Sequence, residues 1–191
     1  MKLVVRRARR SDSPAFLRLL SSLARFEKLR EPSRDARRRI VKDIFDRHIA
    51  HLLVATLRGK VVGYALYFYA YSSFLARPTL YLEDVFVAEG QRGYGVGGAL
   101  FDRCCKEAVR KECGRMEWAV LGWNAKAIQF YEERGAKRMD DWRLYRLDGD
   151  DLRRSVRSAG QIVQKSVRKK EVQLRDNRRN MGPQRGCRGK S

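Results

Sequence analysis

The stretch TLYLEDVFVAEGQRGYGVGGALFDRCCKEA, Thr79 to Ala108, decides the fold. It opens on residues rich in apolar and aromatic side chains and passes through glycines at positions 90, 93, 95, 97 and 98. It then continues into Leu100, Phe101, Cys104, Cys105 and Ala108 at helical spacing. Strand, glycine loop and amphipathic helix are expected in that order. Such a loop lets successive backbone N–H groups converge on an anion, and the helix N-terminus adds partial positive charge. A phosphate is the natural ligand; a tight turn that binds nothing is the alternative. A Walker loop is excluded because no Lys follows Gly97 or Gly98. Gly93, Gly95 and Gly98 satisfy GxGxxG literally, but hairpin strands rather than parallel units precede them, which weakens a nicotinamide reading. The strand also carries two consecutive acids, Glu83 and Asp84, and buried carboxylates must be paired, hydrogen-bonded or neutralised.

Upstream, Leu3 to Arg7 reads as a short strand. Ser11, Asp12 and Ser13 are N-cap types, with Pro14 suited to a first turn. Phe16, Leu19, Leu20, Leu23 and Phe26 then form one helical stripe, and a second helix is expected from Arg34 to Phe45 with Ile40, Ile44 and Phe45 inward. Leu52 to Leu57 and Val61 to Tyr71 flank a Gly-containing turn and read as an antiparallel hairpin. Downstream, Met116 to Leu121 reads as a strand and Asn124 to Arg134 as a helix that Asn124 caps and Gly135 ends. Trp142 to Leu147 reads as a last strand.

The chain has 191 residues and 43% hydrophobic content, enough for one core without staples. Its formal charge of +21 is uneven: residues 151–191 hold 13 Lys or Arg against three acids. A basic tail over residues 153–191, disordered from about Asn177, is expected to follow a domain over 1–152. That tail, with KSVRKKEVQLRDNRRN from Lys165, is the one segment suited to nucleic-acid phosphates, and it lacks interleaved aromatics for base stacking. Cys104, Cys105, Cys113 and Cys187 form no CxxC pair with later ligands, so no metal is expected and the thiols read as reduced. No secretory h-region and no run of 18 apolar residues is present, which places the protein in the cytosol, off the membrane.

Arg92, Gly95 and Gly97 match the coenzyme A pyrophosphate motif of the GNAT acetyltransferases: Arg or Gln, two residues, Gly, one residue, Gly or Ala. YLEDVFV from Tyr81 to Val87 and WAVLGWNAKAIQFYEERGA from Trp118 to Ala136 resemble the spermidine/spermine (diamine) N-acetyltransferase group and its thialysine-acetylating and bacterial relatives. The likeness spans residues 3–152. It implies an α/β fold with a central, twisted, mostly antiparallel sheet and flanking helices, acetyl-CoA as co-substrate, and a homodimer.

Acetyl transfer to an amine needs a base, because an alkylammonium has a pKa of about 10.4. The resemblance gives that role to Glu83, acting through water; the alternative is an ion pair between Glu83 and a nearby Arg. The departing thiolate needs an acid, and the resemblance assigns Tyr131, the Tyr of the FY pair. Amides of Gly93, Tyr94, Gly95, Val96, Gly97 and Gly98 would hold the pyrophosphate, with Arg92 also at the cofactor. The strand segment Val85, Phe86 and Val87 would pair with the pantetheine arm, and Asn124 and Tyr131 would also contact the cofactor. Glu27, Glu83 and Asp84 match acidic positions around the amine, so a diamine or polyamine is expected. Ser72 to Phe74 stands where mammalian polyamine enzymes carry Asp and Trp, which keeps smaller amines such as ornithine or lysine analogues in contention. Protein acetylation and an acetyl-CoA-binding module with a nucleic-acid-contacting tail are the other readings.

Overall fold

A computed structural model describes residues 2–156 and 169–171. The chain divides into two compact units, Met1–Arg134 and Gly135–Ser191. The first unit is built on a five-stranded sheet in the order β1 (Leu3–Arg7), β2 (His51–Leu57), β3 (Lys60–Ser72), β4 (Arg77–Val87) and β5 (Arg115–Glu117). The first four strands are antiparallel and β5 joins parallel to β4. The expected mixed α/β fold with a mostly antiparallel sheet is the fold observed.

Strands β2 and β3 read as nearly continuous apolar runs because both of their faces are covered. On one face, Leu52, Val54, Tyr64, Leu66 and Phe86 pack with Phe16, Leu19 and Leu23 of α1 (Ser13–Phe26) and Ile44 of α2 (Arg34–Phe45). On the other, Leu53, Ala55, Ala65, Tyr67, Leu80 and Leu82 pack with Val96, Leu100, Phe101 and Cys104 of α3 (Val96–Arg110). Phe130 and Tyr131 of α4 (Ala125–Glu132) lie against this second core. The period of two along the strands meets the period of 3.6 along the helices, so each helix buries its one apolar stripe.

Helix α2 has the expected bounds, with the Ser33 hydroxyl accepting from the Ala36 amide at 3.2 Å. Helix α1 begins as expected but without the expected cap. Asp12 instead accepts from the Arg9 amide and a two-pronged Arg6 guanidinium, tying β1 to the helix start. The fifth strand is shorter than the sequence suggests. It pairs with β4 only at Thr79, Leu80 and Tyr81 and ends at Glu117, not Leu121.

The reason for that early ending lies in β4. Leu82 stands opposite Tyr67 and Asp84 opposite Leu66, leaving Glu83 as an extra residue. A bulge of this kind bends and twists its strand, and β5 parts from β4 there. Close approach marks the same region of β3: a Cβ on Gly63 would stand 2.9 Å from the Phe86 carbonyl oxygen.

The second unit corrects one expectation. Residues 142–148 are not a strand, and Trp142, Leu144, Tyr145 and Leu147 are exposed. The apolar pattern was real, but a strand needs a partner for its backbone groups, and no second strand exists among the described residues of that unit. A helical stretch follows over 149–156. The expected disorder from Asn177 lies outside the described residues.

Candidate active site

The glycine loop ends in a conformation suited to an anion. Gly95 takes φ +73° immediately before α3, a left-handed geometry that costs other residues about 1 kcal/mol or more. No side chain caps α3, so the amides of its first turn are not claimed by a capping group. A Cβ on Gly93 or Gly95 would meet nothing within 4 Å, so the loop is open toward its outer side. Backbone donors, open space and a helix N-terminus together fit a pyrophosphate.

Strand β4 offers the second requirement. Beyond Tyr81 its edge has no β5 partner, so the backbone around Val85 is open to pairing by an extended amide-bearing chain, while the Val87 carbonyl is taken by Arg92. Phe86 is buried in the α1-side core, so it can serve a ligand only through its backbone. Val96 is also buried, whereas Tyr94 is exposed. Arg92 folds back: its Nε donates to the Val87 carbonyl at 3.1 Å, and the guanidinium lies over the rings of Phe26 and Phe86. The Asn124 side chain caps α4 by accepting from the Ala127 amide at 3.3 Å.

The bulge gathers the acids. Leu82 faces the α3-side core and Phe86 the α1-side core, so Asp84, two residues before Phe86, faces α1. With an extra residue in the strand, Glu83 follows Leu82 onto that same side rather than alternating away from Asp84. Glu27, the residue that ends α1, completes the group. Burial, and then the charge of Glu83, raises the Glu27 carboxyl above its ordinary range. Burial and Glu83 likewise push Asp84 up to about 6, against a hydrogen bond from the Tyr64 hydroxyl at 3.2 Å. Among the described residues, none of the three carboxylates makes an ion pair, in a chain with 43 Lys and Arg. The alternative of a simple Glu83–Arg pair is therefore not what the fold builds.

Tyr131 sits on the opposite side of the sheet, in a ring cluster with Trp118 at 4.9 Å, Phe130 at 5.1 Å and Phe101 at 5.7 Å. Burial, then the nearby Cys104 thiol, pushes its hydroxyl up to about 12, so it stays protonated across the neutral range. Carboxylates on one side and a phenol on the other leave the parted edges of β4 and β5 as the region between them. A reacting carbonyl held there would have a proton acceptor on one face and a donor on the other.

Three features escape a reading of the sequence. Tyr64 looks like a core aromatic until the bulge sets Asp84 on its side. Arg134 lies over the Phe130 ring at 3.8 Å, and a Cβ on Gly98 would meet its guanidinium at 2.8 Å, so a cation stands beside the start of α3. Its position three residues after Tyr131 was the available signal. Phe26 and Trp123 touch at 5.4 Å, joining the end of α1 to the loop before α4. No spacing in the sequence announces that contact.

A sheet parted beside a bulge, next to an uncapped glycine loop and helix, offers a place for an extended ligand that carries a pyrophosphate. The GNAT acetyltransferase family model matches residues 14–136, and the chain belongs to that family. It is an acetyltransferase, and acetyl-CoA is the family's co-substrate. A thialysine N-epsilon-acetyltransferase of Mus musculus is 34% identical over 161 residues, covering 78% of this chain and 94% of that protein. An L-ornithine N5-acetyltransferase of Arabidopsis thaliana is 47% identical over 92 residues, 48% of this chain and 40% of that protein's length. Among solved structures, an integron cassette protein of V. cholerae superposes with a TM-score of 0.70 at 22% identity, over 82% of this chain and 98% of that one, a likeness of fold.

Proposed function

We propose that this chain acetylates a primary amine of a small diamine, polyamine or amino-acid-like amine by direct attack within a ternary complex. The observation that carries this reading is the trio Glu27, Glu83 and Asp84, gathered on one side of the sheet without a cation among them. Three uncompensated carboxylates are costly unless an external cation joins them. A second ammonium, or the charged end of a lysine-like substrate, meets that need. The names of the thialysine and ornithine relatives favour the smaller members of this class. Ser72 to Phe74, standing where mammalian polyamine enzymes carry Asp and Trp, favours them too.

In this reading Glu83, exposed on the bulge, takes the proton that the ammonium must lose before its nitrogen attacks. The C–N bond forms as the C–S bond breaks, and the Tyr131 hydroxyl gives its proton to the departing sulfur. Amides of residues 93–98 orient the donor through its pyrophosphate, with Val85 and Val87 aligning its arm and Asn124 fixing the start of α4. The enzyme works as a cytosolic homodimer, for which the exposed Trp142, Leu144 and Tyr145 supply an apolar surface. Residues 1–152 carry the chemistry, and the basic tail over 153–191 is an accessory that contacts polyanions.

The test is thiol release from acetyl-CoA with putrescine, spermidine, spermine, thialysine, ornithine and a Lys peptide, alongside Glu83→Gln and Tyr131→Phe. Turnover on a small amine that falls in both variants is the expected result. Turnover on the peptide alone refutes the small-amine reading.

A further inference from the structure

Tyr64 lies on β3 with no exposed surface, its ring edge-on to Phe16 at 5.0 Å and 6.4 Å from Phe86. A phenol this deep requires an acceptor, and its hydroxyl donates to Oδ2 of Asp84 at 3.2 Å. The groups facing Asp84 are Glu83 beside it on β4, Glu27 from the end of α1 and Tyr64 from β3. Arg92, the cation on this side, is engaged with the Phe26 and Phe86 rings and the Val87 carbonyl.

We propose that Tyr64 is a positioning residue of the amine site: its buried hydroxyl fixes one oxygen of Asp84 and leaves Oδ1 to the ammonium. The inference rests on the amine-acetylating reading above. Burial, Glu83 and Glu27 all favour a neutral Asp84, and the Tyr64 hydrogen bond is the influence that opposes them. Without it, Asp84 would take up a proton closer to neutrality and one of the three charges that attract the amine would vanish. Tyr64 thus sets the acidic limit of amine capture while never touching the amine. Phenylalanine at this position preserves the ring packing against Phe16 and Phe86 and removes only the hydroxyl, so the variant isolates the hydrogen bond.

The experiment titrates protein carrying ¹³C-carboxyl aspartate, with the Asp84 resonance identified by its loss in Asp84→Asn. The wild-type midpoint is expected near 6. In Tyr64→Phe it should lie roughly one pH unit higher, as expected for loss of a hydrogen bond to a charged group. In steady state, KM for the amine should rise roughly three- to fivefold near pH 6 in Tyr64→Phe and return toward wild type about two pH units higher, with kcat at saturating amine little changed. An Asp84 resonance in the ordinary aspartate range, or one unmoved in Tyr64→Phe, overturns the proposal. So does a KM that rises equally at both pH values. If no amine is turned over while the resonance shifts as expected, the amine reading falls and the role in amine capture falls with it. Turnover with an unmoved resonance refutes Tyr64 alone.

Discussion

Replacing Asp84 by Asn should make the protein more stable at neutral pH, and the size of the gain follows from where Asp84 sits. The side chain is partly buried beside Glu83 and Glu27, and its carboxyl is pushed from an ordinary 3.8 up to about 6. The folded state therefore binds this proton more tightly than the unfolded chain does. Between those two values stability falls as pH rises, and the cost is complete above about pH 6 and absent below about pH 4. At about 1.4 kcal/mol per pH unit the full shift corresponds to about 3 kcal/mol, and solvent screening at a partly exposed site reduces this to roughly 1–2 kcal/mol. Asn keeps an oxygen to accept from Tyr64, so the hydrogen bond survives the substitution. Urea unfolding of both proteins measures the difference directly: Asp84→Asn should be more stable by that amount at about pH 8, and the two should converge near pH 4. An equal difference at both pH values, or none at pH 8, would refute the assignment of Asp84 as a charge held at a cost to the fold. The same variant should lose amine turnover, which would make this carboxylate an instance of stability given up at a working site.

Tyr131→Phe should lower kcat about 100-fold at saturating acetyl-CoA with little change in acetyl-CoA affinity by calorimetry, since only the proton donor is removed. An alkaline limb of the wild-type rate profile that disappears in this variant would contradict a hydroxyl held up at about 12. Arg134→Gln should raise the KM for acetyl-CoA roughly tenfold and leave kcat near wild type, because the cation beside Gly98 would act in binding alone. Glu107 is buried and receives Arg7, Arg103 and Arg110. Burial pushes its carboxyl up, but these hydrogen bonds outweigh burial and hold it down at about 2. Its contribution to stability is thus present above its ordinary 4.5 and lost as pH falls toward 2. Glu107→Gln should cost roughly 2–3 kcal/mol at neutral pH by urea unfolding, and the difference from wild type should shrink on acidification.

The sequence by itself determined the elements whose signals are local. The 3.6-residue stripe of α1, the Ser33 cap of α2, the β2–β3 hairpin and the glycine loop before α3 are each set by neighbours in the chain, and each stands where its residues predict. The Asn124 cap is of the same kind. The family motif was legible for the same reason, since backbone donors at a glycine loop are specified by consecutive residues. Tertiary structure decided what depends on register. An extra residue in β4 cannot be seen in the letters LED, because a bulge is a mismatch between two strands rather than a property of one. That mismatch turns Glu83 and Asp84 to one side, brings Asp84 under Tyr64, and ends β5 at Glu117. The last expected strand shows the same limit from the other direction: residues 142–147 have the side chains of a strand, yet pairing is a relation between segments, and no partner strand stands among the described residues of their unit.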